Sequence, residues 1–210
     1  SSLVSERTWL ETEKVLQGVG FNDYFKTLIE LKALDETYPD LAGLDVNFFS
    51  HPIIQKAADE DHSKQFRFAS IFYALIKEGK KNVKDQLESM QHNMRFANAY
   101  KDIPILLINS FELIQSDLSE YSADHILTIL ETLDALRRPN NLEEILNLLM
   151  LDADENLIEK RNLLQLSLDR VKNIKINNLK ESGLKGSEIA KKIREIRLIA
   201  IKQDIDNSNI

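Results

Sequence analysis

Phe66-Arg67-Phe68-Ala69-Ser70-Ile71-Phe72-Tyr73-Ala74-Leu75-Ile76-Lys77 is the stretch whose reading decides the fold. Phe68, Ala69, Phe72, Leu75 and Ile76 recur at helical spacing on one stripe, and Gly79 between Lys77 and Lys80 supplies a stop. The same period runs outward in both directions. Upstream, Trp9, Leu10, Val15 and Leu16 predict a short helix capped by Ser5 and ended by Gly18 and Gly20. Phe21, Phe25, Leu28, Ile29 and Leu31 continue at helical spacing up to Leu34, after which Asp35 to Asp40, with Pro39, reads as a loop. Positions 45–62, with Pro52 and Asp59-Glu60-Asp61, give a loop and a short helix. Downstream, helices are expected over 83–100, 103–115, 123–136, 142–151, 156–172 and 186–202, with Pro104 and Pro139 where a helix begins. Nothing alternates with period two for the length of a strand. The expected fold is therefore all-α and multihelical, nine or ten helices on short connections, without solenoid repeats.

Composition agrees. Six Gly and four Pro in 210 residues, with 43% hydrophobic and 29% charged, leave too little turn chemistry for a many-stranded barrel and exclude disorder and collagen. The absence of cysteine excludes a disulfide scaffold, a thiolate zinc site and a cysteine nucleophile, and fits a reducing compartment. The opening residues carry Glu6 and Arg7 and no signal-peptide core, and the densest apolar runs, 103–108 and 146–151, fall far short of the ~20 residues that span a bilayer. A cytoplasmic protein with no membrane partner is the expectation.

The formal charge of −7 is unevenly spread. Between Arg170 and Lys202 lie ten basic residues against Glu181, Glu188 and Glu195, an excess of seven positive charges, so the rest of the chain carries −14. Polarity of this kind steers a polyanion to one end. On a helical wheel Ile189, Ile193, Ile196 and Ala200 share one side and Lys191, Lys192, Arg194 and Arg197 the other. Gly183-Leu184-Lys185-Gly186-Ser187 leads into that helix, and helix starts bind phosphate. A solvated face is the simpler reading of the same charges; a phosphate-binding face is the functional one.

Catalytic signals are few. His51, His62, His92 and His125 show no ligand spacing, and no phosphate loop, dinucleotide fingerprint or nucleophile elbow occurs. Asp152-Ala153-Asp154-Glu155 places carboxylates two apart, which on a helix point away from each other, so a solvated helix end is favoured over a metal pair.

Three stretches in order resemble one family. Ser5-Glu6-Arg7-Thr8-Trp9-Leu10-Glu11-Thr12-Glu13-Lys14-Val15-Leu16 resembles the neck motif of bacterial class II tRNA nucleotidyltransferases, the CCA-adding enzymes, followed as in that family by Tyr24-Phe25, a Leu-x-Ala-Leu turn at 31–34 and Tyr38-Pro39-Asp40-Leu41. Leu133-Asp134-Ala135-Leu136-Arg137-Arg138-Pro139 with Asp152-Ala153-Asp154 is similar to the body, and Gly183-Leu184-Lys185-Gly186-Ser187-Glu188-Ile189 with Arg194-Glu195-Ile196-Arg197-Leu198 to the tail. The family's head, with its Gly-Ser and Asp-x-Asp motifs, has no counterpart here. The resemblance implies a non-catalytic, tRNA-holding C-terminal half: neck at 1–44, an HD-like helical body at 45–120, and C-terminal body with basic tail at 121–210. It implies no cofactor in this chain, with Mg²⁺, CTP and ATP bound by the absent head, which is the partner domain in the intact protein.

By the same resemblance, RNA contacts fall to Lys185, Lys191, Lys192, Arg194 and Arg197, with Arg137 and Arg138 as a second set, while Glu6, Arg7 and Glu11 support the neck. Some members carry a metal-dependent phosphohydrolase motif, Arg-Phe-Ala-Ala-Leu-x-His-Asp, where this chain has Tyr73-Ala74 in place of His-Asp. A phenol and a methyl cannot ligate as imidazole and carboxylate do. The expected outcome is the module's fold without its metal, His51 and His92 being orphaned ligand positions or, more simply, surface residues. A helical regulatory domain derived from such a phosphohydrolase is the alternative, and a poly(A) polymerase relative would share the fold.

Overall fold

The computed structural model describes residues 2–152, 155–174 and 186–208. Among them are eleven α-helices, against nine or ten expected, and no strand, as the periodicity predicts. They are α1 (Ser2–Val15), α2 (Phe21–Glu30), α3 (Leu34–Thr37), α4 (Pro52–Asp59), α5 (Lys64–Lys77), α6 (Val83–Met94), α7 (Asn98–Gln115), α8 (Ala123–Thr132), α9 (Asn140–Leu149), α10 (Glu155–Lys172) and α11 (Gly186–Ser208). Three short 3₁₀ turns lie at Pro39–Leu41, Phe48–Ser50 and Leu118–Glu120. No helix among the described residues is long and apolar enough to cross a membrane.

Helix existence follows the sequence; helix ends depart from it in a consistent way. The helices expected to run to 34, 100 and 136 stop at Glu30, Met94 and Thr132, each shortly before a non-glycine residue in the left-handed region: Lys32 (φ 56°), Arg95 (φ 55°) and Asp134 (φ 50°). Around Lys32 and Asp134 the chain closes with the paired bonds of a Schellman stop, Ala33 N–H to Leu28 O at 2.8 Å and Ala135 N–H to Leu130 O at 2.9 Å. Such a residue costs about 1–2 kcal/mol that glycine would not, so the stop carries no glycine signal. Because α6 ends early, α7 begins at Asn98 and passes through Pro104 rather than starting there. Ser5 likewise lies within α1, not at its cap, because Ser2-Leu3-Val4 join the helix. Gly20 (φ 74°) does take the left-handed turn into α2.

The helices cluster into two compact units, one of residues Ser1–Ile108 with Asn147–Ala153, the other of Asn109–Leu146 with Asp154–Ile210. In the first, the opening stretch is the core helix. Phe66 to Leu75 are all buried on α5. Trp9 of α1 is held by rings on three sides, with centroids at 4.6 Å to Phe96, 4.8 Å to Tyr100 and 5.4 Å to Phe68. A second nest stacks Phe25 on Phe49 at 4.7 Å beside Tyr38. The Tyr38 hydroxyl meets Thr12 Oγ1 at 2.6 Å and the Tyr24 hydroxyl at 3.1 Å, and burial pushes its ionisation well up.

Arg67 joins these parts. Its side chain is 3% exposed, and its guanidinium donates to the carbonyls of Ala57 (3.1 Å), Leu16 (3.1 Å), Gln17 (3.0 Å) and Glu60 (2.8 Å). These oxygens lie at and just past the ends of α1 and α4, where the last carbonyls of a helix have no intrahelical partner and attract a cation. Glu13 ties α1 to the same helix from another point, accepting from Lys64 Nζ at 2.8 Å and from the Tyr100 hydroxyl at 2.7 Å.

In the second unit α10 and α11 pack on each other and both pack on α8. Ile126, Leu127, Ile129, Leu130, Leu164 and Ile201 are fully buried among them. Tyr121 closes the end of α7 by donating to Ile114 O at 2.8 Å, and Lys160, 4% exposed, lies 5.8 Å over its ring and reaches Gln115 O.

Two outcomes test this account. Arg67→Met should lower stability in urea unfolding by about 3–5 kcal/mol, the scale for stranding buried polar groups without their charged partner. Glu13 titrates below its ordinary 4.5, chiefly because of the Lys64 hydrogen bond and then that of Tyr100. A depressed folded-state pKa gives stabilisation that is present above pH 4.5 and fades as pH falls through the folded-state value. Glu13→Gln should therefore lower the thermal midpoint near neutrality and flatten its decline in acid.

Candidate nucleic-acid interface

The expected RNA-contacting side chains of the second unit have different surroundings. Lys191 and Lys192 are exposed on α11, Lys192 within 3.2 Å of Glu195 on the same helix. Arg194 instead faces α8, its Nη1 donating to Asp124 Oδ1 at 2.8 Å and its Nε lying 3.5 Å from Glu131 Oε2. The Asp124 hydrogen bond, first, and then the nearby carboxylate charges hold its guanidinium protonated beyond the usual arginine range. Arg197 is half-buried, and its Nε is covered with no hydrogen-bond partner among the described residues. Lys185 lies outside the described residues, as do Gly183 and Leu184; Gly186 opens α11 where the sequence placed it.

These positions correct the wheel. With Ile201 fully buried, Arg194 clamped and Ile199 62% exposed, the inward arc of α11 is turned by roughly 60° from the one that Ile189, Ile193, Ile196 and Ala200 define. The cause is that α11 packs on both α8 and α10, and a helix held on two sides buries a wider arc than its apolar residues fill. Arg194 and Arg197 therefore fall on the packed side. Lys191, Lys192 and Lys202 stay outside, with Glu188 and Glu195 between them.

Arg137 and Arg138 occupy the loop after α8, with side chains 80% and 67% exposed. Their backbone N–H groups donate to Asp134 O, and their guanidinium groups lie 4.0 and 3.8 Å from its carboxylate, which fixes the loop while leaving both side chains open to solvent. In the first unit, Glu6 pairs with Arg95 at 3.0 Å and Glu11 with Lys14 at 2.9 Å, while Arg7 is exposed with no ion-pair partner among the described residues.

The positions at which the resemblance implies a His-Asp pair in some members are core. Tyr73 and Ala74 are fully buried, and the Tyr73 hydroxyl donates to Leu149 O at 3.4 Å. The histidines have structural partners: His51 caps α4 by accepting from Ile53 N–H at 3.2 Å, His62 stacks on Phe66 and pairs with Glu60, and His125 Nε2 lies 2.8 Å from Leu113 O. His92 is exposed. Asp152 pairs with Lys77 at 2.6 Å, while Ala153 and Asp154 lie outside the described residues. Among the described residues no three His, Asp or Glu side chains converge as a metal site.

Sequence reasoning missed the α8 acids. Asp124 and Glu131 are seven residues apart, two turns, and so share a face; that spacing was the available signal.

No family model matches the chain, and no solved structure does. Curated proteins do match. A multifunctional CCA protein of Nitrosococcus oceani is 26% identical over 97% of this chain and 57% of its own length. CCA-adding enzymes of Coxiella burnetii and Pseudomonas entomophila are each 25% identical over 96% of the chain, and 50% and 53% of themselves. The chain is thus similar along nearly its whole length to CCA-adding enzymes, as its motifs led one to expect. It spans about half the length of the curated relatives it matches.

Chelation by EDTA, or addition of Mg²⁺, Mn²⁺ or Zn²⁺, should leave the thermal midpoint of this chain unchanged. A metal-dependent phosphodiesterase activity that disappears in His51→Ala would overturn the structural reading of that histidine.

Proposed function

We propose that this chain is the neck, body and tail of a tRNA nucleotidyltransferase that adds CCA to tRNA 3′ ends, and that its work is to hold tRNA. The chemistry falls to a head that binds Mg²⁺, CTP and ATP. In this reading 1–44 form the neck, 45–120 a helical body of degenerate HD type with Tyr73-Ala74 in place of the ligand pair, and 121–210 the remaining body and basic tail. The observation that carries it is similarity to CCA-adding enzymes over 96–97% of the chain. The +7 excess in 170–202 supports it physically, because structured RNA is gripped mainly through phosphates and shape.

Lys191 and Lys192 are the proposed phosphate ligands of α11, with Lys185 ahead of it and the half-buried Arg197 a further candidate at the edge of the packed side; Arg137 and Arg138 form the second set. Arg194 holds the helix that presents the lysines. Glu6, Arg7 and Glu11 support the neck beside the head. A cytoplasmic location follows from this role and from the cysteine-free composition.

Lys191→Glu/Lys192→Glu should weaken binding of an in vitro transcribed tRNA and flatten the log–log salt dependence by roughly 0.7–0.9 for each phosphate no longer neutralised, measured by filter binding across a salt series. Unchanged affinity and slope would remove α11 from the RNA face. Failure of the unaltered chain to bind tRNA at physiological salt would favour the helical regulatory domain.

A further inference from the structure

Asp124 and Glu131 have no part in the proposed grip on tRNA, yet they hold Arg194, one of the α11 cations that the sequence offered to a phosphate. Asp124 Oδ1 lies 2.8 Å from Arg194 Nη1, and Glu131 Oε2 lies 3.5 Å from Arg194 Nε. One guanidinium between two carboxylates leaves a local charge of −1. A phosphate approaching Arg194 finds two donor positions taken and two like charges beside them. On the wheel Lys191 lies roughly 60° from Arg194 and Lys192 roughly 160°, so Lys192 is the open cation turned furthest from the α8 acids, with Lys191 between. The carboxylates are well placed to act on a ligand as well as on Arg194: Asp124 is 67% exposed and Glu131 38%.

We infer that Asp124 and Glu131 set the edge of the RNA-binding surface, excluding the phosphate backbone from the α8 side of α11 and confining it to the side that carries Lys191 and Lys192. The inference rests on the proposed tRNA reading and adds a specificity role for two acidic residues. Arginine is a better phosphate ligand than lysine, since its planar fork binds bidentately. Occupying it with carboxylates therefore weakens non-specific grip while fixing where the backbone can lie.

Asp124→Asn/Glu131→Gln removes the charges and keeps amide oxygens as acceptors for Arg194. In the full 210-residue chain, with the same tRNA transcript as probe, affinity should rise about three- to tenfold at moderate salt, the scale of two exposed charges near a polyanion. The salt slope should steepen by roughly 0.7–0.9 as Arg194 joins the phosphate ligands. Adding Arg194→Gln should abolish the gain in slope and leave only the part of the affinity gain that comes from losing the two carboxylate charges. Hydrogen exchange over 186–208 reports whether α11 stays docked.

A double variant with α11 protected and with affinity and slope unchanged or reduced overturns the inference, leaving Arg194 a purely structural clamp. If the double variant releases α11, Asp124→Asn alone retains the Glu131 interaction; a smaller gain there supports the inference, and none overturns it. An unaltered chain that binds no tRNA defeats the underlying reading instead, which separates the two failures.

Discussion

A single buried cation organises the first unit. The four acceptors of Arg67 are backbone carbonyls, two just past the end of α1 and two at the end of α4, and among the described residues no carboxylate shares the guanidinium. A helix end turned inward leaves carbonyls without an intrahelical partner, and an apolar core cannot satisfy them. Arg67, one turn into α5, satisfies both ends at once, so the direction of each neighbouring helix is fixed by hydrogen-bond geometry as well as by packing. Trp9, Phe68, Phe96 and Tyr100 can then close around α1 in one arrangement.

The same helix carries the positions at which the resemblance implies a His-Asp ligand pair in some members. Tyr73 and Ala74 are not vacant ligand positions; they are fully buried, and the tyrosine hydroxyl finds a carbonyl of α9. A phenol of that size fills volume, and its one donor is satisfied, which removes the cost of burying it. His51 caps α4.

Electrostatics in the second unit follow a related logic. On α11 the basic residues do not form one continuous face among the described residues, because Arg194 is drawn onto α8 and Arg197 is half-buried. What faces solvent on α11 is a sparser row of lysines with two glutamates among them. Formal charge in sequence is an upper bound on the field a ligand meets, since ion pairs made in folding neutralise part of it before any partner arrives.

Sequence by itself determined that the protein is all helical, where most helices lie, and that it resembles the CCA-adding enzymes, since apolar period and motif order are local properties of the chain. It also placed Gly20 at a turn and Gly186 at the start of α11. It could not locate the stops at Lys32, Arg95 and Asp134, because a lysine, an arginine or an aspartate enters the left-handed region only when surrounding interactions outweigh its cost. Nor could it orient α11. The apolar residues alone point one way, but Ile201 buried and Arg194 held by Asp124 and Glu131 turn the helix, and those partners are 70 and 63 positions away in the chain. Which cations remain open to a ligand is decided by pairing across that distance, which only the tertiary structure creates.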